Sequence, residues 1–99
     1  MPTPDSPDVW RLADPSAFAL FGLDDDLIVY DRRSGQTHLF NALAAEAFRA
    51  LHVRPLTEAQ LCALLTDMVE PERAAEAASA LSAVLARFAA LGMIDPADA

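Results

Sequence analysis

Residues 27–41 read Leu-Ile-Val-Tyr-Asp-Arg-Arg-Ser-Gly-Gln-Thr-His-Leu-Phe-Asn and carry the clearest structural signal in the chain. β-Branched and aromatic residues cluster in two runs, 27–31 and 36–40, and this composition is typical of strands. The polar residues between the runs include Gly35, which readily adopts the positive φ that a tight turn requires. The segment is therefore predicted to be a β-hairpin.

The second arm of this hairpin, residues 36–40, is predicted to lie at the edge of its sheet, because the chain after Asn41 carries helical rather than strand signals. An edge strand presents unpaired N–H and C=O groups, to which an extended peptide can add as a further strand. The sequence thus indicates a binding surface made largely of main chain.

Two further strand signals precede the hairpin. Residues 9–12 alternate briefly and include Trp10, which predicts a short accessory strand packed on the domain, and residues 18–23 form a second apolar run. The Asp24-Asp25-Asp26 triplet that follows needs water around it and marks a turn. It lacks the further oxygen ligands of a calcium loop, so no metal site is predicted. The expected sheet is a three-stranded antiparallel meander of residues 18–23, 27–31 and 36–40.

Three helices are predicted after the meander. Asn41 is a good N-cap for the first, and Thr57 with Gln60 forms a capping box that opens the second. Pro71 suits the first position of the third helix, which Gly92 ends. The predicted fold class is α+β, a winged-helix-like arrangement in which a three-stranded antiparallel meander is followed by three helices.

The third predicted helix has two distinct surfaces. One is an apolar stripe at helical spacing, which predicts a core face: Leu81, Val84, Leu85, Phe88 and Leu91. The other is rich in alanine in the N-terminal half. Small side chains allow another chain to approach closely, yet alanine is also the best helix former. A binding groove and a simple helix surface both remain open.

Length and charge narrow the possible functions. With 99 residues the chain has room for one domain, predicted over residues 9–95 between a disordered arm at 1–8 and a polar tail at 96–99. Seven basic residues, all arginine, against fifteen acidic ones give a formal charge of −8. This charge repels a phosphate backbone, so nucleic acid is not an expected partner.

The sequence does not carry a recognisable catalytic constellation. One cysteine and two histidines match no metal-ligand spacing, and no nucleophile has an adjacent base, so we predict no catalytic residues, metal or cofactor. Asp31 and His38 are the best candidate pair, with a cross-strand polar contact as the ordinary explanation. The N-terminal residues lack secretory features and no apolar run could cross a bilayer, which predicts a cytoplasmic protein without membrane association.

Two alternatives to peptide binding remain open at this point. A winged-helix regulator would contact DNA through the third helix, whose polar side chains mix acid and base: Glu72, Arg73, Glu76, Ser79, Ser82 and Arg87. A homodimer would use the same open strand edge for pairing between two copies. Mixed charge weakens the first alternative, whereas the second is compatible with the edge.

Several of these segments together resemble a known family, the PqqD-like proteins. The resemblance covers residues 9–95 and is strongest in Val29-Tyr30-Asp31, Ser34-Gly35 and Thr37-His38-Leu39. Trp10, the Leu-Thr-Glu-x-x-Leu start of the second helix and the closing Leu91-Gly92-Met93-Ile94 also fit. The chain is most similar to the branch described as the peptide chaperone of the HPr-rel-A system, found beside a kinase related to HPr kinase. Phe40 stands where the family commonly has leucine.

The resemblance implies a RiPP recognition element, a non-catalytic module that binds the leader segment of a precursor peptide and presents it to a modifying enzyme. A kinase related to HPr kinase is the candidate enzyme. The leader is expected to add to the third strand of the meander and to lie against the third helix. The implied binding residues are Gln36, Thr37, His38, Leu39 and Phe40 on the strand and Ala77, Ala78, Leu81 and Leu85 on the helix. The acidic charge of the domain favours a leader that is neutral, basic or mainly apolar.

Overall fold

The computed structural model describes residues 9–97, which form six strands and three α-helices. The strands are β1 (Val9–Leu12), β2 (Phe18–Leu23), β3 (Asp26–Asp31), β4 (Gln36–Phe40), β5 (Leu56–Thr57) and β6 (Ile94–Pro96). The helices are α1 (Ala42–Val53), α2 (Glu58–Thr66) and α3 (Ala74–Ala90). The strands belong to two antiparallel three-stranded sheets, one ordered β2-β3-β4 and the other β5-β1-β6. The predicted α+β class, with a meander followed by three helices, is confirmed.

The β2-β3-β4 sheet is the predicted meander, and both of its turns use positive φ. Asp24 in the turn before β3 has φ 56°, and Gly35 before β4 has φ 73°. The Gly35 N–H donates to the Asp31 carbonyl at 2.8 Å, which closes the β3–β4 turn. The acidic triplet therefore lies at one end of the sheet and the arginine-containing turn at the other, with Asp26 already inside β3.

The β5-β1-β6 sheet was not predicted. β1 pairs Trp10 with Leu56 on one side and Leu12 with Ile94 on the other. Strands of two and three residues are too short to show an alternating pattern, so only β1 was visible in the sequence as an accessory strand. Met93 and Ile94, which lead into β6, are both buried.

The predicted end of the domain, residue 95, lies inside β6. Pro96 belongs to β6 and pairs with Trp10, and the Ala97 N–H donates to the Val9 carbonyl at 2.6 Å. The predicted polar tail at 96–99 thus starts inside a strand. The predicted arm at 1–8 and the last two residues lie outside the described residues.

The helix starts follow the capping signals. The Asn41 side chain accepts from the Ala44 N–H at 3.0 Å, and Thr57 and Gln60 form the full capping box at the start of α2. Pro71 begins a 3₁₀ turn, Pro71–Arg73, rather than the α-helix itself, so α3 starts three residues later than predicted. After α3 ends, Gly92 takes φ 72° as expected of a helix stop.

An aromatic cluster joins the meander to the helices. Phe40 of β4 lies between two helices, 5.6 Å from the Phe48 ring of α1 and 5.0 Å from the Phe88 ring of α3. Phe48 also contacts Phe18 of β2 with ring centroids 5.3 Å apart. All four rings are at most 4% exposed. The core therefore lies between one face of the meander and the helices, and leaves the other face of the sheet uncovered by them.

The turn between β3 and β4 is held by an ion pair. The Arg33 guanidinium donates to both carboxylate oxygens of Asp31, each at 3.1 Å, and to the Gly92 carbonyl at 3.1 Å. It also lies 4.9 Å from the centre of the Phe18 ring. The Arg33 side-chain hydrogen bonds lower the pKa of Asp31 below its ordinary value, with backbone N–H groups of Arg33 and Ser34 adding to the effect and burial opposing it.

This geometry predicts that Asp31→Asn lowers the free energy of unfolding by about 1–2 kcal/mol at neutral pH, because the variant loses the ion pair with Arg33. The loss is modest because Arg33 is partly exposed and solvent screens the pair. A carboxyl group whose folded pKa is lowered stabilises the fold above its unfolded pKa, and this contribution disappears as pH falls through the folded value. The difference between wild type and variant should shrink below about pH 4. Urea unfolding of both proteins at several pH values measures this difference in unfolding free energy. Asp67→Asn at the exposed end of α2 is the control, and an equal loss there would contradict the assignment.

Candidate functional site

β4 forms an edge of its sheet. It pairs with β3 on one side, and within residues 9–97 no strand pairs with the other side. Amide groups along an antiparallel strand point alternately to the two sides, so about half of the β4 main-chain groups face outward. The strand carries neither proline nor a charged side chain, two devices with which proteins protect an exposed edge. This edge can accept an extended segment.

The side chains of β4 alternate between the two faces of the sheet. Phe40 pairs with Leu27 and His38 with Val29, and these four residues face the core. Phe40 is 4% exposed as a whole residue, so its side chain belongs to the core and offers no surface to a ligand. His38 stacks on it with ring centroids 6.0 Å apart, at the margin of the core. The Leu39 side chain points to the opposite face and is 62% exposed.

A small cleft of about 120 Å³ separates the end of β4 from α3. Leu39 and Phe40 line it from the strand, and Val84, Arg87 and Phe88 line it from the C-terminal half of the helix. Arg87 forms no ion pair with any other residue in the range 9–97. The part of α3 that faces the edge strand thus presents an apolar surface with one available guanidinium group.

A larger cavity of about 600 Å³ lies along the N-terminal half of α3. Asn41, before the first turn of α1, lines both spaces. The larger cavity is walled mainly by apolar side chains from the three helices and their connections, including Leu43, Leu65, Met68, Val69, Ala77 and Ala80. Its charged lining residues are Glu46, Glu70, Arg73 and Glu76, with acid in excess.

The helix residues implied by the family resemblance occupy different environments. Ala77 lines the larger cavity, whereas the half-buried Ala78 lines neither space. Leu81 and Leu85 are 1% and 2% exposed and belong to the core, so their side chains offer no surface to a ligand. Val84 and Arg87 line the cleft beside the strand instead. The sequence placed Val84 in the core stripe and Arg87 on the polar face of the helix, and neither was selected as a peptide-binding residue. The rotation of α3 relative to β4 depends on tertiary packing, and the helical pattern alone does not contain it.

Part of the alanine-rich surface of α3 lines a groove. Ala77 and Ala80 line the larger cavity, and their small side chains leave room for a ligand between α3 and the first turn of α1. Neither cavity is lined by a residue of β2, the other edge of the meander. The combination of an open strand edge and an adjoining groove therefore occurs at β4.

The candidate Asp31–His38 pair from the sequence is not formed in the structure. Asp31 pairs with Gln36 across the hairpin and binds Arg33, while His38 lies opposite Val29, so the Asp31–His38 contact is not made. Residues 9–97 contain no cluster of three side chains able to hold a metal ion. No helix in the described part of the chain combines the length and apolar character needed to span a bilayer.

The polar face of α3 is partly engaged within the protein itself. Arg73 forms an ion pair with Glu76 at 3.4 Å, and the Ser82 hydroxyl donates to Glu58 at 2.9 Å. These contacts occupy three of the six side chains that a DNA-binding helix would have presented: Arg73, Glu76 and Ser82. Together with the net acidic charge, they leave little capacity for phosphate binding.

A solved structure shares this fold. The fold matches that of TbiB1. That structure is TbiB1 in complex with the TbiA(beta) leader peptide, and the match has a TM-score of 0.70 over 90% of this chain and 99% of the other. Sequence identity is 12%, so the similarity establishes the shared fold alone. No family model matches the sequence, and no curated protein matches it.

Phe40 provides a direct test of how the edge strand is held. Phe40→Leu should cost less than about 1.5 kcal/mol of unfolding free energy, because leucine still fills much of the space between Phe48 and Phe88. Phe40→Ala should cost about 3–5 kcal/mol, because it leaves a cavity. Denaturant unfolding gives both values, with Val53→Ala as a control at an apolar residue that is 81% exposed. Similar losses for Phe40→Ala and Val53→Ala would contradict the anchoring role.

Proposed function

We propose that this chain is a non-catalytic adaptor that binds the leader segment of a precursor peptide and presents it to a modifying enzyme. The observation that carries the proposal is the open edge of β4 next to the cleft formed with α3. The fold shared with TbiB1, solved with a leader peptide bound, supports it. The sequence resemblance to PqqD-like proteins of the HPr-rel-A system supports it independently of the coordinates.

Main-chain pairing would supply the basic affinity. An added strand would form hydrogen bonds with the main-chain groups of alternate residues in β4, the ones that face outward, and neighbouring pockets would select its side chains. The strand residues proposed to bind are Gln36, Thr37, His38, Leu39 and Phe40. Alternate side chains of the peptide would enter the cleft beside Val84 and Arg87. The remaining ones would lie on the opposite face beside Leu39. Five strand residues offer few bonds, so the pockets must contribute much of the specificity.

The charges around the groove suggest a sequence preference for the peptide. Arg87 would favour an acidic or polar side chain close to the end of β4. Further along α3, Ala77 and Ala80 leave space for a large apolar side chain, and the nearby Glu46 and Glu70 favour a neutral or basic neighbour. The proposed ligand is mainly apolar, with at most one acidic residue placed near Arg87.

The identity of the partner enzyme is proposed from the sequence resemblance alone. A kinase related to HPr kinase is the candidate. Affinity capture of the tagged chain from its native host, followed by mass spectrometry, tests this assignment. Reproducible recovery of an unrelated modifying enzyme, and no such kinase, would remove it while leaving peptide binding intact.

Titration with peptide tests the binding site itself. Peptides from a short reading frame encoded beside the gene, or linear peptides selected by display on the folded protein, are added to the 15N-labelled chain. The largest amide shifts are expected at residues 36–40 and at Val84 and Arg87, and slower amide exchange is expected along β4. Shifts confined to β1 or to the exposed end of α2 would place the ligand elsewhere and contradict the proposal.

Proline substitutions separate strand addition from other modes of binding. Adjacent amides point to opposite sides of β4. One of the two variants Thr37→Pro and His38→Pro therefore loses a hydrogen bond to β3, and the other loses an N–H donor on the outward side. The variant that loses the bond to β3 should be the less stable. The other should keep its melting temperature and bind the selected peptide at least about tenfold more weakly, which calorimetry measures. Unchanged affinity in that stable variant would exclude pairing through its N–H.

A further inference from the structure

The face of the β2-β3-β4 sheet that points away from the core is unusually apolar. Its exposed side chains include Phe21 at 57%, Leu23 at 51%, Tyr30 at 38% and Leu39 at 62%. The strand register arranges them in rows, with Phe21, Ile28 and Leu39 side by side across the three strands. Contiguous exposed apolar surface of this kind marks an interaction site. Apart from Leu39, this outer face plays no part in the groove described above.

The central strand of the outer face has a self-complementary order of charges. Its outward side chains are Asp26, Ile28 and Tyr30, in that order along the chain. Arg32 follows Tyr30 by two positions, and its N–H donates to the Ala17 carbonyl at 2.9 Å, which extends the ladder with β2. Its guanidinium donates to the Ser16 carbonyl at 2.7 Å. Acid thus stands at one end of the face and base at the other. A second copy of the strand lying antiparallel on it would place Asp26 opposite Arg32 in both directions.

The side-chain sizes on the flanking strands fit the same arrangement. The row of Phe21, Ile28 and Leu39 is followed by a second row, in which Ala19 and Thr37 flank Tyr30. A two-fold axis crossing the strands between these rows places Phe21 over Ala19 of the other copy. It likewise places Leu39 over Thr37. Large residues then meet smaller ones on both flanking strands, which allows the side chains of the two sheets to interdigitate.

We propose that two copies of this chain associate through their outer faces as a two-fold symmetric dimer, with a pair of Asp26–Arg32 contacts closing the ends. Such an interface is isologous, because each residue meets its partner twice. It leaves the β4 edges unpaired, and the two edges lie on the same side of the dimer, about 10 Å apart, the usual spacing of packed sheets. The inference does not depend on peptide binding. It differs from edge-to-edge pairing, which would occupy β4.

Sedimentation of the whole chain over a wide concentration range tests the dimer. Measurements near physiological ionic strength limit the repulsion between two acidic molecules, because charges are screened over roughly 8 Å there. A reversible monomer–dimer equilibrium is expected. Phe21→Glu should shift it to monomer, whereas Val53→Glu, at an apolar residue that is 81% exposed on α1, should leave it unchanged.

A charge exchange tests the register. Asp26→Arg and Arg32→Asp should each weaken the dimer by about tenfold or more, since every substitution changes two contacts, and the double variant should recover most of the affinity. Melting temperatures show whether each variant is folded, because Arg32 also donates to the Ser16 carbonyl at 2.7 Å. A monomer at all concentrations overturns the proposal. A dimer that survives Phe21→Glu but dissociates in the stable β4 proline variant would also overturn it, in favour of edge pairing.

Discussion

The packing of Phe40 is the interaction on which the rest of this structure depends. Its ring contacts both Phe48 and Phe88, and pairs of this kind contribute about 0.5–1.5 kcal/mol each beyond the area they bury. Because the side chain enters the core, the end of β4 is held against α1 and α3. The main chain of the same strand remains at the sheet edge. A rigid edge beside a groove loses less entropy on binding a peptide than a mobile strand would.

The opposite end of the hairpin is secured in a different way. Arg33 links Asp31 to the Gly92 carbonyl, and so connects the β3–β4 turn to the segment between α3 and β6. β6 pairs with β1, which also pairs with β5 before α2. The meander and the small second sheet are therefore joined through one guanidinium group as well as through the core. Both ends of β4 are fixed, and only its outer side is left for another chain.

The β4 edge and the outer face of the meander are suited to different kinds of contact. The β4 edge offers directional main-chain groups to an extended peptide, whereas the outer face offers apolar area with charge at both ends. Leu39 belongs to both, since its main chain lies on the edge and its side chain on the face. A bound peptide strand would widen the outer face by one strand. Peptide binding and association of two copies are thus geometrically compatible.

The sequence by itself determined the features that depend on neighbouring residues. The hairpin at 27–41, the acidic turn and the Asn41 and Thr57 caps all follow from local preferences, whereas β4 is an edge because the two strands after Asn41 pair with β1 instead. Tertiary packing alone decided the rest. The rotation of α3 buries Leu81 and Leu85 and turns Val84 and Arg87 toward the strand, and the short β5 and β6 exist only through pairing with β1. Such contacts join residues far apart in the chain, so no local pattern records them.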